Sequence, residues 1–330
     1  MPRIPRVLHV TNMFPSHDSP AFGTFVETQV RSLERLGVTQ DVYVVPPGGY
    51  ARAAPRIVRR VQQGGVDLVH AHYGLSGWAA SWQSLPLVVT FAGSDLYAER
   101  RGGLRDRWRG RGEVVASHWA ALRARRLIVM SKRMLHLLRL GFLRSKATVL
   151  PYGIDTKRFS PMPPAAARQR FGLDPEAFIV LWPHSDSPTK RRDIAEAATE
   201  RLQHTLGRSV VLWKPRQIPN VDMPLCYHAA NCLLMVSDTE GSPTVVKEAL
   251  SAAVPVVGVD VGDVWSWIDR VDWCRRAQRD PADIAQRLAE VSWAARPTEP
   301  PGFIREFDSE RVAGELLAIY KDVIRDGQLP

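Results

Sequence analysis

The feature that most constrains this chain is a rhythm. Short apolar, β-branched runs alternate with longer stretches of helical period, and the pattern runs through once and then begins again. Such alternation specifies parallel strands whose crossover helices cover the sheet faces. In the first half it predicts strands near Val7–Val10, Asp41–Val45, Asp67–His70, Leu87–Phe91, Leu127–Met130 and Thr148–Leu150, with helices over Thr24–Leu36 and Ser131–Leu140. The second half predicts strands near Phe178–Trp182, Val210–Trp213, Cys232–Val236 and Val254–Val257, with helices over Lys190–Leu206, Thr244–Ala252 and Ala282–Ala294.

The restart divides the chain. At 330 residues, 45% of them hydrophobic, each half can bury its own core. The proline-rich Phe159–Pro164 suits a connection, so the expected organisation is an N-terminal doubly wound domain over 1–160, a second over 161–307, and a C-terminal helix over 308–330. That helix carries an apolar stripe (Val312, Leu316, Leu317, Ile319, Tyr320, Val323) that needs a surface, and the N-terminal domain is the expected one.

Several function classes fall away on composition. No apolar run is long enough to span a bilayer, and the N-terminal stretch reads directly into a strand, so the expected location is cytoplasmic. Cys226, Cys232 and Cys274 have neither zinc nor disulfide spacing. The net charge of +10 favours anionic partners. Its densest cluster, Arg100–Arg111 with Trp108 inside it, reads either as a solvated loop or as a surface for an anionic acceptor or for the headgroups of an anionic membrane. Nucleic acid is not expected, because no binding motif accompanies the cluster.

Ligands of open α/β sheets bind beyond the carboxyl ends of strands. The richest such segment is DTEGSPTVVKEALSAAVPVVGVDVGDV, Asp238–Val264. It leaves an apolar strand, turns through Gly241-Ser242-Pro243 and enters a helix, with Pro243 placed in the first helical turn. Amides at a helix start attract anions. Glu240 before the helix and Glu248 within it supply carboxylates that accept from sugar hydroxyls. For Glu248 alone a surface role is the commoner meaning; its setting reverses that.

The spacing Glu240-x7-Glu248, with EGSP before and A-L-x4-P-V-V after, resembles the signature of family 4 (GT4) retaining glycosyltransferases, which have the GT-B fold of two facing Rossmann-like domains around a cleft. Three further stretches extend the resemblance over nearly the whole chain. They are the first strand-to-helix loop Asn12–Leu33, the crossover Val149–Phe159 (P-x-G-x-D-x3-F) and the acceptor-side segment Asp67–Asp95. The DVGDV ending suggests bacterial polysaccharide or cell-envelope members.

The resemblance implies transfer of a hexose-type sugar from a UDP- or GDP-sugar to a glycan, lipid-linked or small-molecule acceptor, without a cofactor. Carried over by position, Glu240 touches the donor sugar, Glu248 holds the ribose, and Gly241, Ser242, Pro243, Thr244 and Val245 serve the diphosphate. Lys190 matches the phosphate-binding lysine, Arg191 (or Arg192) stands in for a clamp arginine, and Gly23 lets the first loop approach phosphate or acceptor. Two positions depart from the family: Ala92 replaces a common histidine and Ser185 the usual arginine. His72 and Asp95 are the candidates to compensate at Ala92, set against a core histidine and a capping aspartate. No Asp-x-Asp is placed to hold a metal, so catalysis is expected to be metal-independent. The competing readings are a nucleotide-sugar epimerase of the same fold and a non-catalytic glycan- or membrane-binding relative.

Overall fold

A computed structural model describes residues 4–17, 19–20, 22–97 and 104–328. The first sheet has six parallel strands: β1 (Arg6–Thr11), β2 (Thr39–Val44), β3 (Leu68–His72), β4 (Leu87–Phe91), β5 (Arg126–Val129) and β6 (Ala147–Val149), in the order β2-β1-β3-β4-β5-β6. The second has five: β7 (Phe178–Leu181), β8 (Val210–Trp213), β9 (Cys232–Met235), β10 (Val256–Gly258) and the two-residue β11 (Arg275–Arg276), in the order β11-β10-β9-β7-β8. Strands β1, β3, β4, β7 and β9 are almost continuously buried, as expected of parallel strands with both faces covered.

Each sheet reverses its winding once, between β1 and β3 in the first and between β7 and β9 in the second. Loops part at such a switch point, so it is where a crevice opens.

The contacts group 1–153 with 309–330, and 154–308 separately. The division falls at Gly153, ahead of the proline-rich stretch, because Ile154 and Phe159 are already core residues of the second unit. The last helix, Ser309–Gln328, belongs to the first unit: Val312, Leu316, Tyr320 and Val323 are buried in its core, and the helix packs on Thr24–Arg35.

Two expected helices differ. Residues 131–140 are helical only over Lys132–Leu135, followed by turns closed by i→i−3 bonds before a second short helix, Gly141–Ser145. Residues 188–190 form a 3₁₀ turn, and the α-helix starts at Arg192 because Arg191 sits at φ +52°. Part of the arginine cluster read as a loop is helical: Leu104–Arg123 is one helix, while residues 98–103 lie outside the described residues.

Candidate functional site

The site grows from the β7/β9 switch point. After β7 the chain runs Trp182 to Arg191; after β9 it runs Val236 to Pro243 and into helix Thr244–Ser251. A backbone bond ties the two loops, Asp238 N–H donating to Thr189 O at 2.8 Å. This brings Lys190 Nζ to 2.6 Å from Glu240 Oε1, with both side chains largely covered (24% and 13% exposed). An ammonium and a carboxylate from different loops thus meet beside a helix start, whose first amides have no acceptor within the helix.

Pro243 is the residue before the helix, in extended geometry (φ −68°, ψ 120°), and Thr244 is the first helical residue. This corrects the placement of Pro243 inside the first turn. Ser242 is buried and its Oγ has no hydrogen-bond partner, a cost that a polar ligand removes. Glu248 stands one turn further on, half-buried, and accepts from the Tyr227 hydroxyl. Burial raises the Glu248 carboxyl above its usual range, opposed by the Tyr227 bond and the charges of Arg158 and Lys247. Lys247 points the other way, fully buried over the rings of Trp267 and Phe307.

Arg191 is drawn off. Its guanidinium is bound by both Asp193 oxygens (3.0 and 2.8 Å) and by Asp238 Oδ1 at 3.3 Å. The expected clamp role is therefore occupied by carboxylates. Arg192 pairs with Glu196 at 2.7 Å, on the helix surface.

Residues that pattern reading missed hold the site together. Gly262 sits at φ +56°, and a Cβ there would press on Gly241 O at 3.0 Å and Glu240 O at 3.2 Å. It is the glycine of the DVGDV stretch, and its need is steric. His184, next to the departed arginine position, is 9% exposed with Nε2 unpartnered. Burial and the Lys190 charge push its pKa down to about 3, so it stands neutral beside the ammonium.

The first-unit candidates are built into the fold. Asp95 is buried: Oδ2 accepts from Gly74 N–H (3.0 Å) and Ala92 N–H (3.2 Å), and Oδ1 from Gly93 N–H (2.9 Å). It caps loops, and burial pushes its carboxyl up to about 6 against those bonds. Gly23 sits at φ +77° where a Cβ would collide with the backbone of Met13 and Phe14, so its close approach is to its own loop. His72 is fully buried and both ring nitrogens are used, Nε2 on His9 Nδ1 (2.9 Å) and Nδ1 on the Tyr152 hydroxyl (3.0 Å). This corrects the catalytic expectation for His72: it is a core histidine.

Among the described residues, one group of three side chains has metal-ligand proximity: His9, His70 and His72, whose ligand atoms lie within 4.8 Å of one another. Their hydrogen bonds account for them without an ion. Gln40 donates to Val30 O, so its Oε1 accepts from His9 Nε2–H; His9 Nδ1 then accepts from His72 Nε2–H, and His72 Nδ1 from the Tyr152 hydroxyl. His70 is satisfied by Tyr320 (2.6 Å) and Thr90 (2.7 Å).

Two doubly wound parallel sheets in tandem, one of them with a helix start at its switch point, are the architecture of the GT-B fold. Family models agree with that reading over most of the chain: Glycosyltransferase Family 4 matches residues 28–158 and Glycosyl transferases group 1 matches residues 185–292. The chain belongs to the GT4 glycosyltransferases. A D-inositol 3-phosphate glycosyltransferase of Geodermatophilus obscurus is 29% identical, over 78% of this chain and 67% of that protein. A putative teichuronic acid biosynthesis glycosyltransferase, TuaC of Bacillus subtilis, is 27% identical over 79% of this chain and 82% of that one. In structure, a sucrose-phosphate synthase of Thermosynechococcus elongatus superposes with a TM-score of 0.79 at 18% identity, covering 98% of this chain and all of that one.

Proposed function

We propose that this glycosyltransferase moves a hexose-type sugar from a UDP- or GDP-sugar, bound in the second unit, to a glycan, lipid-linked or small-molecule acceptor bound on the first. The observation that carries the donor assignment is the Lys190–Glu240 contact at the β7/β9 switch point, beside the start of helix Thr244–Ser251.

The chemistry follows from charge. As the glycosidic bond breaks, negative charge builds on the diphosphate. Lys190 and the backbone N–H groups of Gly241, Ser242, Thr244 and Val245 face that change with positive ends already in place. Glu240, held by Lys190, orients sugar hydroxyls; Glu248, held by Tyr227, takes the ribose hydroxyls. Transfer proceeds with retention and without a metal, the departing phosphate accepting the acceptor proton. One relative is named for D-inositol 3-phosphate and another for teichuronic acid biosynthesis, which favours a polyhydroxylated, anionic acceptor that suits the +10 charge. Among the described residues no helix is long and apolar enough to cross a membrane.

Calorimetric titration with UDP, GDP, ADP and dTDP, alongside Lys190→Ala and Glu248→Ala, tests the assignment. One diphosphate binding, weakened by both substitutions, supports it. Binding to none, or binding untouched by either substitution, moves the donor site elsewhere.

A further inference from the structure

Helix Leu104–Arg123 is built inside out. Its inward face is largely of small residues: Val114, Ser117, Ala120 and Ala121 are buried. They are small because helix Gly74–Ala80 comes so close that a Cβ on Gly74 would overlap Ser117 Oγ, and one on Gly77 would stand 3.0 Å from the Ala120 Cβ. The large apolar side chains point the other way. Trp108, Val115, Trp119 and Leu122 are 66%, 70%, 44% and 43% exposed. At 3.6 residues per turn they fall on an outward stripe about 60° wide.

Neighbouring elements widen the stripe. Trp82, 55% exposed, stacks on Trp119 with ring centroids 6.2 Å apart. Beyond Leu122, Lys146 bonds the carbonyls of Leu122 and Ala124 and lies 5.9 Å over the ring of exposed Phe142. The charge around the stripe is mainly basic, with Arg126 at its far end facing Asp326 at 3.9 Å. Residues 108–126 hold five arginines and a single acid, Glu113, which faces Arg109 at 3.4 Å; the Arg111 guanidinium covers the Trp108 ring at 5.4 Å.

We propose that this stripe docks the first unit on the surface of an anionic lipid bilayer, with Trp82, Trp108 and Trp119 at headgroup depth and Arg109, Arg111 and Arg123 on the lipid phosphates. Tryptophan favours that depth, because its ring is apolar and its N–H needs a partner; flanking arginines add attraction to the anionic leaflet. A second copy of the chain fits poorly. A two-fold interface would set these arginines against their own counterparts. The arginine cluster alone, the contact suggested by composition, is thereby replaced by a mixed aromatic and basic face. The proposal stands independently of the donor assignment.

Flotation of the full chain with vesicles of phosphatidylcholine alone, and of phosphatidylcholine mixed with phosphatidylglycerol, tests it. The expected result is at least about tenfold tighter binding to the anionic vesicles, weakening with added salt. Trp108→Ser with Trp119→Ser removes most of that binding, and Trp108→Ser alone, at a side chain 66% exposed, weakens it with melting little changed. Trp293→Ser, 71% exposed on the second unit, leaves binding intact. Quenching of wild-type tryptophan fluorescence by lipids brominated on their acyl chains gives an independent reading. Failure of the wild type to float, flotation of the double variant equal to wild type, or a dimer abolished by the tryptophan substitutions in place of vesicle binding would each overturn the proposal.

Discussion

Lys190 Nζ and Glu240 Oε1 stand 2.6 Å apart although fifty positions separate them in the chain. The fold makes them meet because β7 and β9 are neighbours across the switch point, and because Asp238 bonds Thr189 through the backbone. Each residue sets the other's geometry. The ammonium fixes the position of the carboxylate, and the carboxylate holds the ammonium beside the helix start.

The two residues should therefore separate in function. Lys190→Ala is expected to weaken nucleoside diphosphate binding by about tenfold or more, the loss of one charge-assisted contact. Glu240→Gln is expected to keep that binding within about threefold and to lose turnover by about a hundredfold, the result that the proposed sugar contact requires. Titration and sugar-transfer rates on the same preparations decide; equal loss of binding in both variants would place Glu240 on the phosphate instead.

Glu248 depends on Tyr227 for its orientation. Tyr227→Phe removes the hydroxyl that donates to Glu248 and leaves a half-buried carboxylate short of a partner. The expected outcome is diphosphate binding weakened by about three- to tenfold, with the free ribose hydroxyls mattering less: a 2′-deoxy diphosphate should lose less affinity to the substitution than the ribo form. Identical losses for both would remove the ribose from Glu248.

Much of this was readable from the pattern, and the exceptions have physical causes. Strands β1, β3, β4, β5, β7, β9 and β10 show as apolar runs because both of their faces are buried in a parallel sheet. Helix Gly74–Ala80 did not show: its glycines at 74 and 77 argue against a helix locally, yet the close approach of Ser117 and Ala120 demands them. Helix Leu104–Arg123 was hidden for the related reason that its large residues face out. Spacing after strands put Lys190 and Glu240 in loops and Glu248 on the following helix, and the structure brings the two loop residues together. His72 was misread because a strand-end histidine looks the same whether it faces a ligand or, as here, His9 and Tyr152. Arg191 was misread because its partners Asp193 and Asp238 are a matter of loop geometry.

The two constrained glycines make opposite predictions. Gly23→Ala places a methyl group against the Met13–Phe14 backbone at a positive φ, and should destabilise the first unit by about 2–4 kcal/mol. Gly262→Ala at φ +56° pushes on the carbonyls of Glu240 and Gly241, so its main effect should be on transfer rate. Thermal melts compared with transfer rates distinguish them. A Gly262→Ala enzyme of normal rate would show that the Glu240 loop has room to give.

The buried histidines make stability depend on pH in a definite direction. His9 is held neutral by burial, its pKa pushed down to about 4; His70 is lowered by burial and by His72 and His9, and His72 by burial and by His9. In the unfolded chain these groups protonate near 6.5. Their contribution is therefore complete above that value and is lost as pH falls towards 4. His9 alone accounts for about 2 kcal/mol between about pH 7.5 and pH 5. Asp95 acts with the opposite sign: its pKa of about 6 lies above the ordinary 3.8, so the folded state gains as pH falls through that window. Three histidines outweigh one carboxyl. Urea unfolding followed against pH should show the first unit weakening from pH 7.5 to 5, and His9→Gln should flatten the slope by about one proton. A stability that stays level or rises towards pH 5 would mean that the histidines already carry charge in the fold, and the neutral chain from Gln40 through His9 and His72 to Tyr152 would have to be abandoned.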